Sequence, residues 1–400
     1  MNKITNLLKN NLYAISLYSR RLAGAFSIFF IARYLSVYEY GLYASYVAIA
    51  GYMLLFANLG FNEYILVSTN NETKKVKFKQ TFFISNAILL CFLYCLISLF
   101  IPIEERLIFV LIIFKIFFDE TFFALILPYF QSAKKFNEIA FINFFYSFFI
   151  IIIACIALIF KFSLVKYLTL CILLGIINFM QCSSYLKINY FKIFKIFKSL
   201  NLIFDKSILY YVFVTLLFIT KEQLPSLFIA TTINKEIAAL YFAAYNISMI
   251  PSLFAQAKLQ QIMPEMINSS KKKIIETMKK SSFEIFAINA VVIILLAFLG
   301  KLLLLFVYGK AEYTNAYGFL IFLSVITLIS GVLGPLGTYI TASGNQKFKL
   351  RCQIEMLLIA LISMIFLYKY GIYAILSTFF FVCAYSIPRF GFFVKKQLED

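Results

Sequence analysis

Hydrophobic positions fall in long unbroken runs, and polar positions gather in the short gaps between them. Most runs reach the about 20 residues that an α-helix needs to cross a bilayer, and together they predict about 12 spans. In the first half these are 11–31, 41–67, 82–101, 107–130, 139–160 and 167–186. In the second half they are 207–230, 237–262, 282–308, 316–342, 352–368 and 372–394. Between the halves lies a basic linker, 187–206, with Lys192, Lys195 and Lys198 recurring among Phe and Ile. That spacing predicts an amphipathic helix lying on an anionic membrane face.

The second span has a counterpart in the other half. With an offset of 198, Leu42-Tyr43 falls on Leu240-Tyr241 and Ile49 on Ile247. Leu55-Phe56-Ala57-Asn58 likewise falls on Leu253-Phe254-Ala255-Gln256, and Asn62 on Gln260. Apolar coincidences are common in such a chain; the paired amides, one helical turn apart in both copies, are less so. The pattern predicts an all-α polytopic membrane protein of two lobes, an N-terminal one over 1–200 (with the linker) and a C-terminal one over 201–400. Six helices entering from the same side make such repeats parallel, related by an axis along the membrane normal around a central cavity.

Composition supports the class. Hydrophobic residues make up 62% and charged residues 14% of the 400, too apolar for a soluble core. Trp is absent, so 27 Tyr and some of the 49 Phe must supply the interfacial belt. The net charge of +19 lies in short links rather than on one soluble face, which argues against nucleic acid. Assigned to alternate sides, the links carry 23 Lys and Arg on one side and 8 on the other. The richer side is predicted to be cytoplasmic, and both termini with it. His is absent and no Cys-x-x-Cys occurs among the seven cysteines, so no metal site is expected. Arg20 and Arg21 in the first apolar run, which leads straight on, suggest a retained helix rather than a cleaved signal.

Charges near mid-membrane are costly and tend to face a cavity or a partner. Arg20 and Arg21 lie near the middle of the first span, Lys115, Asp119 and Glu120 in the fourth, Lys221 and Glu222 in the seventh. Lys258 and Arg389 lie near cytoplasmic ends and are expected to snorkel. Lys115 and Asp119, four apart, share a helix face, either neutralising each other or forming a pair that opens for substrate or a coupling cation. Asp119, Glu120 and Glu222 are candidate proton or Na⁺ sites, with no other cofactor expected. Asn58, Asn62, Gln256 and Gln260 are placed either to bond sugars or to bond between helices. Arg20 shares a stripe with Ser16, Gly24 and Ser27, and Arg21 with Leu17, Ala25 and Ile28. Arg20 is therefore expected to line the cavity, and Arg21 to pair with a neighbouring helix or with backbone carbonyls.

Three motifs then resemble a known family: Arg33-Tyr34-Leu35, Tyr40-Gly41-Leu42-Tyr43 and Asn58-Leu59-Gly60-Phe61. The links from Gln131 (QSAKKFNEIA) and Thr341 (TASGNQKFKL) add to the resemblance, which is to Wzx-type polysaccharide flippases of the MATE-containing MOP exporter superfamily. Lys221-Glu222 is a departure, since relatives often carry a single Asp there. The resemblance implies a transporter rather than an enzyme, in a bacterial inner membrane. It would flip an undecaprenyl-pyrophosphate-linked oligosaccharide (O-antigen, capsule or related glycan) to the periplasmic leaflet. Arg20, Arg21, Lys115 and Lys221 would supply cations for the pyrophosphate. Beyond the lipid-linked glycan and membrane lipids, a polymerase and a chain-length regulator are the implied partners of a monomeric transporter. A multidrug exporter, a lipid II exporter and a membrane polymerase are the alternatives; short outward links argue against the last.

Overall fold

A computed structural model describes residues 2–58, 86–121, 136–186, 234–267 and 269–399, with parts of 210–229. Among the described residues there are helices and turns but no strand. The chain forms two compact units, Met1–Val212 and Phe213–Asp400.

In the first unit, α1 spans Asn2–Tyr34 and α2 spans Val37–Asn58. The break between them follows from a capping box: the Glu39 amide donates to Ser36 Oγ at 3.1 Å, and the Ser36 amide to the Glu39 carboxylate at 2.8 Å. The helix α3 (Asn86–Phe100) ends in a 3₁₀ turn, and α4 (Ile103–Ile116) opens after Pro102. Glu104 and Glu105 sit in the first turn of α4, where the helix dipole favours carboxylates. Arg106 folds back onto the carbonyls of Leu99 and Ile101, at 2.9 and 3.2 Å, satisfying the end of α3. The helix α4 then continues as a π-helix over Phe117–Thr121. The last two helices of the unit are α5 (Phe136–Ile159) and α6 (Leu164–Leu186). The helix α1 lies along α5, α2 packs on α4, and α6 covers both α4 and α5. The Tyr46 ring meets Phe109 edge-on at 5.2 Å, and its hydroxyl donates to Glu105.

In the second unit α7 (Lys235–Ser248) and α8 (Ile250–Ile267) are bent by 44° at Met249, just before Pro251. There follow α9 (Lys271–Tyr308), α10 (Tyr317–Ala342), α11 (Gln346–Leu367) and α12 (Ile372–Glu399). The helix α10 is central and packs against α7, α8, α9 and α12. The expected basic link 271–280 is itself helical, forming the first turns of α9. The second span of each predicted lobe begins at the same repeat position, Val37 and Lys235, with Tyr43 and Tyr241 both buried. The two copies then differ: α2 runs unbroken to Asn58, whereas the other copy bends at the proline.

Six described helices are long and apolar enough to cross a membrane, or up to seven if α7 and α8 form one span. Their outward side chains are apolar; Phe298 is 80% exposed and Phe306 75%, a surface that suits lipid and not water. The linker 187–206 and the basic links near Lys75 and Lys134 lie outside the described residues.

Candidate functional site

The stripe of α1 that carries Arg20 is its packing face. Asn143 on α5 donates to Ser16 Oγ at 3.2 Å, Ser19 and Ser147 share a hydroxyl pair at 3.2 Å, and Ser27 bonds the Tyr167 hydroxyl of α6 at 2.6 Å. Small hydroxyl residues let the helices approach closely and bond across the seam, as intramembrane packing favours. Arg20 enters this seam and is 9% exposed. Its Nη2 donates to the main-chain carbonyl of Asp119 at 2.7 Å, and the guanidinium carbon stands 4.0 Å from the centre of the Tyr146 ring. A flat, delocalised cation can stack and donate at once, whereas a lysine ammonium cannot.

The Asp119 carboxylate forms an ion pair with a second cation, Lys115, whose Nζ stands 3.4 Å from Oδ2. The shared helix face expected for these two is observed, although the helix passes into its π segment between them. The helix α6 meets this point with a glycine. A methyl group at Gly175 would lie 2.7 Å from Asp119 Oδ1 and 2.8 Å from Phe118 Cβ, so no larger residue leaves the site as it is. The result is a buried cluster of two cations and one carboxylate among the described side chains, held by α1, α4, α5 and α6. A buried carboxylate is tolerated because it is paired, and each partner is costly to remove.

Arg20, Lys115 and Asp119 are the sequence-predicted residues that the structure brings together. Arg20 itself makes a carbonyl contact of the kind expected of Arg21, while Arg21 is exposed and has an interaction of its own. The stripe of small residues that carries Arg20 is what α5 packs against. Lys221 stands 5.0 Å from the Phe218 ring centre, and Gln256 is half-buried on α8. Asn62 and Glu222 lie outside the described residues, as do the side chains of Asn58, Glu120 and Gln260. Lys258 and Arg389 do not simply snorkel: Lys258 pairs with Glu284 at 2.8 Å, and Arg389 with Glu355 at 3.6 Å. Sequence reasoning missed Asn143, Tyr146, Ser147 and Gly175. The available signal was Asn143 and Ser147, two polar residues four apart in an otherwise apolar span. Among the described residues no cluster suits a metal ion.

The family described as polysaccharide biosynthesis protein matches residues 7–268. The chain belongs to this family. Its fold is similar to that of solved lipid and drug transporters. The lipid II flippase MurJ in an inward closed conformation matches with a TM-score of 0.69 at 16% identity, over 96% of this chain and 87% of that one. A MATE transporter in a straight conformation matches with a TM-score of 0.63 at 12% identity, over 99% of this chain and 95% of that one. An inward-facing multidrug resistance MATE transporter matches with a TM-score of 0.59 at 12% identity, over 97% and 94%. No curated protein matches the sequence. Two of the sequence motifs have structural roles. Glu39 before Tyr40-Gly41-Leu42-Tyr43 closes the capping box of α2, and Tyr40 and Tyr43 are buried and stack at 6.4 Å. The link from Thr341 turns at Gly344, whose φ of +75° lies in the left-handed region that glycine enters without strain.

Proposed function

We propose that the protein is a flippase for a lipid-linked glycan. It moves an undecaprenyl-pyrophosphate-linked oligosaccharide from the cytoplasmic to the periplasmic leaflet of a bacterial inner membrane by alternating access. The observation that carries this reading is the buried cluster of Arg20, Lys115 and Asp119, in a chain of the polysaccharide biosynthesis family. Among the described side chains, two cations face one carboxylate, which suits an anionic headgroup better than a cationic drug, and a guanidinium suits phosphate oxygens. Asp119 and Lys115 hold each other. A pyrophosphate competes with Asp119 for Lys115 and draws Arg20 from the carbonyl it now holds. Protonation of Asp119, or Na⁺ binding there, favours the same exchange and couples it to an ion gradient. The termini face the cytoplasm, and a polymerase with its chain-length regulator receives the product from a monomeric transporter.

The test is a strain lacking the gene, complemented with the wild type or Arg20→Ala. Lipid-linked oligosaccharide should accumulate on the cytoplasmic leaflet in the deletion and in Arg20→Ala, with the variant protein still abundant in the membrane. Normal surface glycan in the deletion strain would overturn the assignment. Normal glycan with Arg20→Ala would remove this cluster from it.

A further inference from the structure

At the other end of α1 a shallow, open groove lies between that helix, the end of α5 and the start of α6. Its walls are mainly apolar, from Phe30, Ile31, Ala154, Ala157, Leu158 and Leu164, and the hydroxyls of the two tyrosines that join them, Tyr34 and Tyr167, are bonded to Lys161 and Ser27. The rim is different. The α5–α6 connection carries Lys161 and the first turn of α6 carries Lys166, both exposed, and Arg33 sits beside Tyr34, whose hydroxyl donates to the Lys161 carbonyl at 3.0 Å. These three make up three of the eight cations on the side predicted to face outward, where basic residues oppose the charge bias that sets orientation.

Lys161 also occupies an unfavourable position. The Phe162 amide bonds the Ala157 carbonyl at 2.9 Å, a helix ending that places Lys161 at a φ of 51°, where glycine is usual. A lysine there costs on the order of 1 kcal/mol relative to glycine. The first turn of α6 opens onto the same rim, since Leu164 lines the cleft; the Lys166 amide donates to Ser163 Oγ at 3.5 Å, and the amides of Leu164 and Val165 offer donors at a positive dipole end. Lys166 stands 6.0 Å from the ring centre of Phe162, in the connection just before α6. Glu39, a carboxylate beside this end of α1, is engaged by the Ser36 amide. Along α1 the cleft is about 15 Å from Arg20 at 1.5 Å per residue, so it is a separate site.

We propose that this cleft binds an anionic glycerophospholipid of the outward leaflet, with one acyl chain in the apolar slot and its phosphate held by Lys161, Lys166 and the first turn of α6. The charge on the rim selects the headgroup, and the slot fixes the chain. The site is independent of what the protein transports.

The experiment uses the full chain purified in mild detergent. Phosphatidylglycerol and phosphatidylcholine with the same acyl chains are titrated in and bound lipid is counted by native mass spectrometry. The wild type should retain phosphatidylglycerol at least about tenfold more tightly, as expected for two phosphate contacts. Lys161→Gln with Lys166→Gln should abolish that preference while leaving phosphatidylcholine binding unchanged. The control Lys271→Gln with Lys272→Gln, at the exposed start of α9, should preserve it. Ala157→Phe, which fills the slot, should weaken both lipids. Equal affinity of the wild type for the two lipids would overturn the proposal without recourse to any variant. So would an undiminished preference in the double-glutamine protein.

Discussion

The guanidinium of Arg20 is bonded to a main-chain oxygen, that of Asp119, and not to its carboxylate. The carboxylate belongs to Lys115. One aspartate therefore joins two cations through two different groups, and each can be tested separately.

Arg20→Lys keeps the charge but loses the plane that stacks on Tyr146 while donating to Asp119. Glycan export should fall to a fraction of wild type, and Arg20→Ala should abolish it. Export must be measured beside membrane abundance, because loss of the protein itself would mark Arg20 as a packing residue only.

Lys115→Met leaves the Asp119 carboxylate, 2% exposed, without its counter-ion. The expected destabilisation is roughly 3–5 kcal/mol, seen as a lowered melting temperature of the purified protein. Adding Asp119→Asn should restore most of the stability, because neither charge then remains buried alone, yet should not restore export. A double variant no more stable than Lys115→Met would contradict the pairing.

Gly175→Ala places a methyl group against Asp119 Oδ1 and Phe118 Cβ. Overpacking of this kind costs about 1–3 kcal/mol, so the variant should melt earlier and export less. An unchanged melting temperature would mean that α6 does not hold the carboxylate.

Orientation is checked with single cysteines in a background whose seven native cysteines are replaced. An impermeant thiol reagent on whole cells should label a cysteine at Glu104 and not one at Lys272. The reverse labelling would invert the inside-positive assignment.

Much of this was legible in the sequence where the signal is local. The step of four residues between Lys115 and Asp119 gave their pairing, and the offset of 198 matched the starts at Val37 and Lys235. What depends on distant partners was not legible. Lys258 pairs with Glu284 and Arg389 with Glu355 across helices, which no spacing within one helix reveals. Nor does an isolated glycine in an apolar run announce that it faces a carboxylate, as Gly175 does. The two arginines were separable by their 100° offset, but the sequence could not say which stripe met α5.

The bend before Pro251 has a mechanical meaning. An unbroken helix such as α2 moves as one rod and passes a displacement from end to end. A helix interrupted at a single residue bends there at little cost, because the proline has already removed a backbone donor. The helices α7 and α8 are thus two short rods on a joint. Two copies of one stretch share their pattern and differ in stiffness, which gives the second unit a compliance that the described part of the first lacks.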